Sequence, residues 1–125
     1  MTKRILIIDD EDDIREVVQI CLSELGGWET ITAASGSEGL KRANTERIDA
    51  ILLDVSMPEM DGFRFFELLQ ENSHIKPIPV ILLTAKILPD DQVKFAEMEV
   101  AGVITKPFNP AQICQQIAEI LSWEF

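Results

Sequence analysis

Short, continuous runs of apolar residues recur along this chain, and they limit its fold more than any other feature of the sequence. The runs are Ile5–Ile8, Ala50–Leu53, Val80–Leu83 and Val103–Ile104. Each run is too short for a helix and does not alternate with polar residues, which is typical of strands buried on both faces of a parallel sheet. A weaker fifth strand, with partial alternation, is predicted over residues 28–34.

Amphipathic segments lie between these runs and predict five helices. The apolar stripe of the first helix comprises Ile14, Val17, Val18, Cys21, Leu22 and Leu25, and Gly26-Gly27 ends that helix. The other helices are predicted from a cap at Ser35 or Ser37, around residues 63–69, from about Pro89 to Met98, and from Pro110 to Leu121. Strand–helix alternation repeated five times predicts a doubly wound α/β fold, with helices on both faces of a parallel sheet.

The length of 125 residues predicts one domain over residues 1–125, with no room for an output domain after the last helix. A net charge of −11 disfavours direct binding to nucleic acid, because phosphates would be repelled. The sequence has neither the ~20 apolar residues of a membrane span nor the apolar core of a signal peptide. We therefore expect a cytoplasmic protein whose two cysteines, Cys21 and Cys114, are buried free thiols.

Polar and charged residues follow the predicted strands where the strands end. They are Asp9 and Asp10 after the first strand, Asp54 after the third, Thr84 after the fourth, and Thr105 and Lys106 after the fifth. Any one of them alone could simply cap the next helix. Because parallel strands place their carboxyl ends at one edge, where α/β sheets bind ligands, all these groups are expected to converge there.

Clustered carboxylates repel one another, and a hard divalent cation relieves that repulsion. Mg²⁺ fits such a cluster because it prefers oxygen ligands and combines one or two carboxylates with water and phosphate oxygens. With the cation present, the Asp54 carboxylate could attack phosphorus while Lys106 and Thr84 stabilise the transferred group. The predicted edge is therefore a complete site for phosphoryl transfer.

These residues and their neighbours resemble the receiver domains of bacterial two-component response regulators. The resemblance runs from about Lys3 to Leu121 and is carried by Ile7–Asp10, Leu53–Gly62, Leu83–Ala85 and Thr105–Phe108. It implies the flavodoxin-like, CheY-like version of the doubly wound fold, a (βα)5 chain with a five-stranded parallel sheet in the order 2-1-3-4-5. It also implies a stand-alone signalling protein that is not an enzyme, since it catalyses only its own phosphorylation and dephosphorylation.

The roles of the family's site residues carry over to matching positions of this chain. The resemblance implies that Asp54 is the phosphoacceptor and that Thr84 and Lys106 complete the catalytic set. The implied Mg²⁺ ligands are Asp10, Asp54 and the backbone carbonyl of Ser56, with Asp9 supporting the cation through a water.

Two further expectations concern the residues around the lysine. A cis peptide bond is expected between Lys106 and Pro107, as the family usually has there. Val103 stands where the family usually has Tyr or Phe, a ring that turns inward when the hydroxyl residue moves. Gating by an aromatic ring therefore has no residue to carry it here, although a β-branched side chain could still repack.

The resemblance also implies partners. The phosphoryl donor would be a sensor histidine kinase or a histidine phosphotransfer protein. The face made by the fourth predicted helix, the fifth strand and the fifth predicted helix would then bind or release a protein that acts in trans. We expect no membrane association, no direct contact with nucleic acid, and a monomer or weak homodimer.

Three other interpretations fit parts of the pattern. A Mg²⁺-dependent phosphohydrolase with an aspartyl phosphate would act on a small molecule, but Ser56 stands where some such enzymes have a second Asp. A flavodoxin-like FMN carrier needs Ser, Thr and Gly in its first loop, where the acids of Asp9–Asp13 would repel a phosphate. A degenerate receiver that is never phosphorylated would not need Asp54, Thr84 and Lys106 together.

Overall fold

The computed structural model describes residues 2–54, 62–72, 77–84, 100–106 and 108–123. Its strands are β1 (Arg4–Ile8), β2 (Glu29–Ala33), β3 (Ala50–Asp54), β4 (Val80–Thr84) and β5 (Gly102–Thr105). Its helices are α1 (Asp12–Glu24), α2 (Gly36–Thr45), α3 (Gly62–Glu71) and the C-terminal helix (Ile113–Leu121). The helix predicted from about Pro89 to Met98 lies outside the described residues.

The strands form one parallel sheet in the order β2-β1-β3-β4-β5, which confirms the predicted topology. The register sets Asp54 beside Leu83, and Thr84 beside Thr105. The strands therefore end nearly level with one another. We call the side where they end the carboxyl edge, and the side where they begin the amino edge.

Two core layers cover the sheet, which explains why its strands are continuously apolar. One layer joins alternate strand residues to α2 and α3, and includes Leu6, Ile8, Ala43, Ile51, Leu53, Phe65, Leu69 and Leu82. The other joins the remaining strand residues to α1 and the C-terminal helix, and includes Ile5, Ile7, Val18, Leu22, Leu52, Ile81, Ile113 and Ile117. A doubly wound sheet with both faces buried is thus confirmed.

The apolar stripe predicted for α1 is wrong at two positions. Val17 is 41% exposed and Leu25 is 55% exposed, whereas Val18 and Leu22 are fully buried. Val17 is turned by about 100° from Val18 around the helix axis, which takes it off the buried face. Leu25 lies beyond the last helical residue, at the C-cap.

Three further predictions concern the cap of α2, the state of the two cysteines and the absence of a membrane span. Ser35 caps α2, where its Oγ accepts a hydrogen bond from the backbone N–H of Glu38 at 3.2 Å. Cys21 and Cys114 are buried free thiols, as predicted, and Cys114 Sγ donates to the Cys21 carbonyl at 3.3 Å. Burial raises the pKa of the Cys114 thiol, which keeps it protonated and unreactive. Among the described helices, none has the length and apolar character needed to cross a bilayer.

Candidate functional site

The carboxyl edge gathers polar side chains from four strands, and most of them are buried. Asp54 ends β3 and is 3% exposed, and Thr84 ends β4 and is 4% exposed. Asp9 directly follows β1 and has no exposed surface, while Lys106 directly follows β5. Polar and charged side chains are thus enclosed where the strands end, and buried charged groups need partners of opposite charge.

The Lys106 amine lies among three carboxylates. Its Nζ donates to Asp9 Oδ2 at 3.2 Å, and it lies 3.7 Å from both Glu11 Oε1 and Asp54 Oδ1. The backbone N–H of Lys106 donates to the Thr84 carbonyl at 2.7 Å, which extends the β4–β5 pairing by one residue. That bond fixes the backbone at Lys106, and the contacts with the three carboxylates direct its amine toward them.

Charge around Lys106 keeps it protonated. Burial lowers the pKa of the amine, but the carboxylates of Asp54 and Asp9 outweigh burial and raise that pKa above its usual value of 10.5. The side chain is 11% exposed, so the ammonium is poorly screened by water. A fixed positive charge therefore stands beside the Asp54 carboxylate at neutral pH.

The turn between β1 and α1 is held through Asp9. Its backbone N–H donates to the Ala33 carbonyl at 3.2 Å, and its Oδ1 accepts from the backbone N–H of Glu11 at 2.9 Å. With Oδ2 bonded to Lys106, both carboxylate oxygens of Asp9 are engaged by donors of the protein itself. Asp10 and Glu11, in contrast, are exposed at the mouth of the site.

Four carboxylates at this edge fit the requirements of a divalent cation. One oxygen from each of Asp9, Asp10, Glu11 and Asp54 lies within 4.8 Å of the others. Lys106 supplies one positive charge against them, so the described part of the site keeps a negative excess. Oxygen donors and excess negative charge suit Mg²⁺, which binds carboxylates and retains several waters.

The structure brings together most of the residues that the sequence singles out. Asp9, Asp10, Asp54 and Lys106 meet in one cluster, and Thr84 ends the strand next to Asp54. Ser56 and Pro107 lie outside the described residues, so the carbonyl ligand and the cis peptide bond stay predictions. Val103 is half-buried and packs against the core layer that contains Leu82.

Sequence reasoning missed two residues of the site. Glu11 contributes an oxygen to the carboxylate cluster and contacts Lys106. Arg15 reaches back from α1, and its Nη1 donates to the Asp9 carbonyl at 2.8 Å. Glu11 could have been found because it adjoins Asp10 in the same turn, whereas Arg15 lies six positions from Asp9 and carries no motif.

Comparisons with known proteins identify the family and the fold of the chain. The family model of the response regulator receiver domain matches residues 5–118. The alkaline phosphatase synthesis transcriptional regulatory protein PhoP of Bacillus subtilis is 38% identical over 121 residues, which cover 97% of this chain and 49% of PhoP. The chain spans about half the length of the curated relatives it matches.

Solved structures show the same fold. The chemotaxis protein CheY4 of Vibrio cholerae superposes with a TM-score of 0.89 at 32% identity, covering 96% of this chain and 99% of CheY4. The signal receiver domain of a histidine kinase from Syntrophus aciditrophicus superposes with a TM-score of 0.85 at 33% identity, covering 97% of this chain and 91% of that domain.

Proposed function

We propose that this chain, which belongs to the family of response regulator receiver domains, takes a phosphoryl group on the Asp54 carboxylate with Mg²⁺ as its cofactor. One observation carries the proposal. The buried Asp54 carboxylate and a protonated lysine lie 3.7 Å apart inside a cluster of four carboxylates. A nucleophile, a fixed cation and a set of oxygen ligands are the parts that phosphoryl transfer requires.

The donor would be the phosphorylated histidine of a sensor kinase or of a phosphotransfer protein. An Asp54 oxygen attacks phosphorus, the phosphorus–nitrogen bond breaks, and its electron pair returns to the imidazole. The product is an acyl phosphate on Asp54 and a free histidine on the donor. The Lys106 ammonium neutralises a phosphoryl oxygen, and the Thr84 hydroxyl donates a hydrogen bond to another.

Mg²⁺ would be held by Asp10, Asp54 and the carbonyl of Ser56, with Asp9 acting through a water. The engagement of both Asp9 oxygens by protein donors supports this indirect role. When bound, the cation offsets the charge that the carboxylates and the phosphoryl group bring together. Asp9 then keeps Lys106 oriented while Asp54 reacts.

Signalling would follow from the modified site. Phosphorylated Asp54 draws Thr84 inward, which alters the face formed by the fourth predicted helix, β5 and the C-terminal helix. We propose that this face controls a protein partner in the cytoplasm, and that the chain is a monomer or weak homodimer without direct contact to nucleic acid. The relatives about twice its length are transcriptional regulatory proteins, and this chain spans only about half of them.

Intact-mass analysis after incubation with acetyl phosphate and Mg²⁺ tests the proposal. We expect one added phosphoryl group, which is absent with EDTA and absent in Asp54→Asn. Asp13→Asn is the matched control, because it removes an exposed carboxylate from the first turn of α1. A phosphoryl group gained by Asp54→Asn would reject the acceptor. Sustained turnover of phosphate esters would favour the phosphohydrolase instead.

A further inference from the structure

The Arg15 side chain spans the turn that carries Asp10. Its Nη1 donates to the Asp9 carbonyl at 2.8 Å. Its Nη2 also pairs with the Asp12 carboxylate. The side chain is only 18% exposed, although it carries a permanent charge. One arginine thus ties the last residue before the turn to the first turn of α1.

The Asp9 side chain accepts a hydrogen bond from the Glu11 N–H, but the start of α1 lacks its ordinary side-chain cap. The N-cap residue of α1 is Glu11, and its side chain makes no capping hydrogen bond. The turn also presents a row of acids, Asp9, Asp10 and Glu11, followed by two more at the start of the helix. Their mutual repulsion favours an open turn, whereas a cation site requires them to be close.

We propose that Arg15 is a positioning residue, which closes the β1–α1 turn so that the Asp9 and Asp10 carboxylates meet Asp54 around the cation. The inference rests on the proposed function, since it takes this cluster to be the Mg²⁺ site. Arg15 does not touch the cation or the phosphoryl group. It acts through the Asp9 carbonyl and through the geometry of the turn.

The charge and the geometry of Arg15 have opposite effects on Mg²⁺. A positive charge near the site repels the cation, so charge alone predicts tighter binding when Arg15 is neutralised. Loss of its hydrogen bonds frees the turn and predicts weaker binding. We expect geometry to dominate, because the guanidinium links the Asp9 carbonyl to Asp12 and so holds the two ends of the turn together.

Calorimetric titration of the full chain with MgCl₂ distinguishes the two effects. Arg15→Lys keeps the charge but loses the fork of donors, and Arg15→Gln loses both. We expect each variant to bind Mg²⁺ about tenfold more weakly than the native chain. Arg42→Gln is the control, because it removes an exposed arginine from the last turn of α2, where Mg²⁺ affinity should not change.

A second readout separates positioning from damage to the fold. The Mg²⁺ concentration that gives half the maximal rate of modification by acetyl phosphate should rise about tenfold in both variants. The rate at saturating Mg²⁺ should stay within about twofold of native, since a filled site restores the turn. A loss of rate at saturation without a change in Mg²⁺ dependence would indicate a merely structural role and overturn the inference.

The outcomes also separate this inference from the proposed function. Native affinity in Arg15→Lys together with tighter binding in Arg15→Gln would mean that only charge matters, and the inference would fail alone. If the native chain neither binds Mg²⁺ nor becomes modified on Asp54, the proposed function is refuted, and the inference is refuted with it. Weaker binding in both variants supports the positioning role.

Discussion

At the amino edge of the sheet acidic side chains lie beside arginines, whereas at the carboxyl edge four carboxylates cluster and Lys106 contacts three of them. At the amino edge, Asp49 Oδ2 accepts from the Arg4 backbone N–H at 2.8 Å and from Arg47 Nη1 at 2.6 Å. Arg4 also pairs with Glu29 at 2.9 Å. Among the described residues, Asp49 and Glu29 at this edge are thus each paired with an arginine.

Packing strengthens the same contrast. At the amino edge the rings of Trp28 and Trp123 meet edge to face at 5.5 Å, and Lys3 Nζ lies 5.0 Å from the Trp123 ring. At the carboxyl edge the corresponding space is lined by carboxylates that repel one another. One edge is therefore stabilised by contacts within the chain, and the other keeps an excess of negative charge.

Gly26→Ala should give the largest effect on stability, because it disturbs the packed edge. A Cβ there would lie 2.7 Å from the Leu22 carbonyl oxygen and 2.9 Å from Trp28 Cε3. We expect a loss of about 2 kcal/mol in the free energy of unfolding, with unchanged Mg²⁺ affinity. Urea unfolding and Mg²⁺ titration would measure both.

Gly27→Asn is the neighbouring control for that change. Gly27 has a φ of 67°, a Cβ added there would meet no atom within 4 Å, and Asn tolerates this conformation. Gly27→Asn should therefore lower the free energy of unfolding less than Gly26→Ala does. Equal losses in the two variants would show that the turn, and not the packing around Trp28, determines stability at this edge.

Asp49→Asn should have the next largest effect. The amide can still accept from the Arg4 N–H, but it loses the ion pair with Arg47, whose side chain is 42% exposed. We expect a loss of about 1 kcal/mol in the free energy of unfolding. An unchanged free energy of unfolding would mean that the ion pair between Asp49 and Arg47 does not stabilise the chain.

The pH dependence of Asp49 sharpens that test. Burial raises the pKa of Asp49, but the Arg4 N–H and the Arg47 guanidinium outweigh it and hold that pKa below its usual 3.8. A depressed folded pKa gives stability that is present above pH 3.8 and is lost as the pH falls through the lower folded value. The difference in the free energy of unfolding between the native chain and Asp49→Asn should therefore shrink as the pH falls below 3.8. Urea unfolding at a series of pH values would measure it.

Asp10→Asn should have the smallest effect on the free energy of unfolding, and the sign of that effect should be opposite. Removing one charge from the crowded edge should stabilise the chain without Mg²⁺ by about 0.5 kcal/mol. Mg²⁺ should then raise the melting temperature of the native chain more than that of the variant. A destabilised variant in EDTA would contradict the view that this edge is strained by like charges.

Much of the fold was predictable because its main determinants are local. The continuous apolar runs of β1, β3 and β4 require burial on both faces, and only a parallel sheet between helix layers provides that. Val17 was misassigned because a stripe read from sequence does not show how wide the buried face of α1 is. The order of the strands came from a resemblance, since local patterns do not specify it.

The site residues at the strand ends were predictable from the sequence, but the contacts that support them were not. Asp9, Asp54 and Lys106 were found because a parallel topology brings the ends of their strands together. Glu11 was overlooked although it adjoins Asp10, whereas Arg15 was missed because its role depends on how far a side chain reaches across a turn, which no spacing rule gives. Contacts of that kind emerge only from the folded geometry.

Locating the phosphoryl group tests the central claim most directly. After reaction with acetyl phosphate and Mg²⁺, borohydride would reduce the acyl phosphate, so that the modified aspartate becomes homoserine. Peptide sequencing by mass spectrometry should find homoserine at position 54 alone. Homoserine at position 10, a reduced glutamate at position 11, or a chain left unmodified by every competent donor would contradict the account.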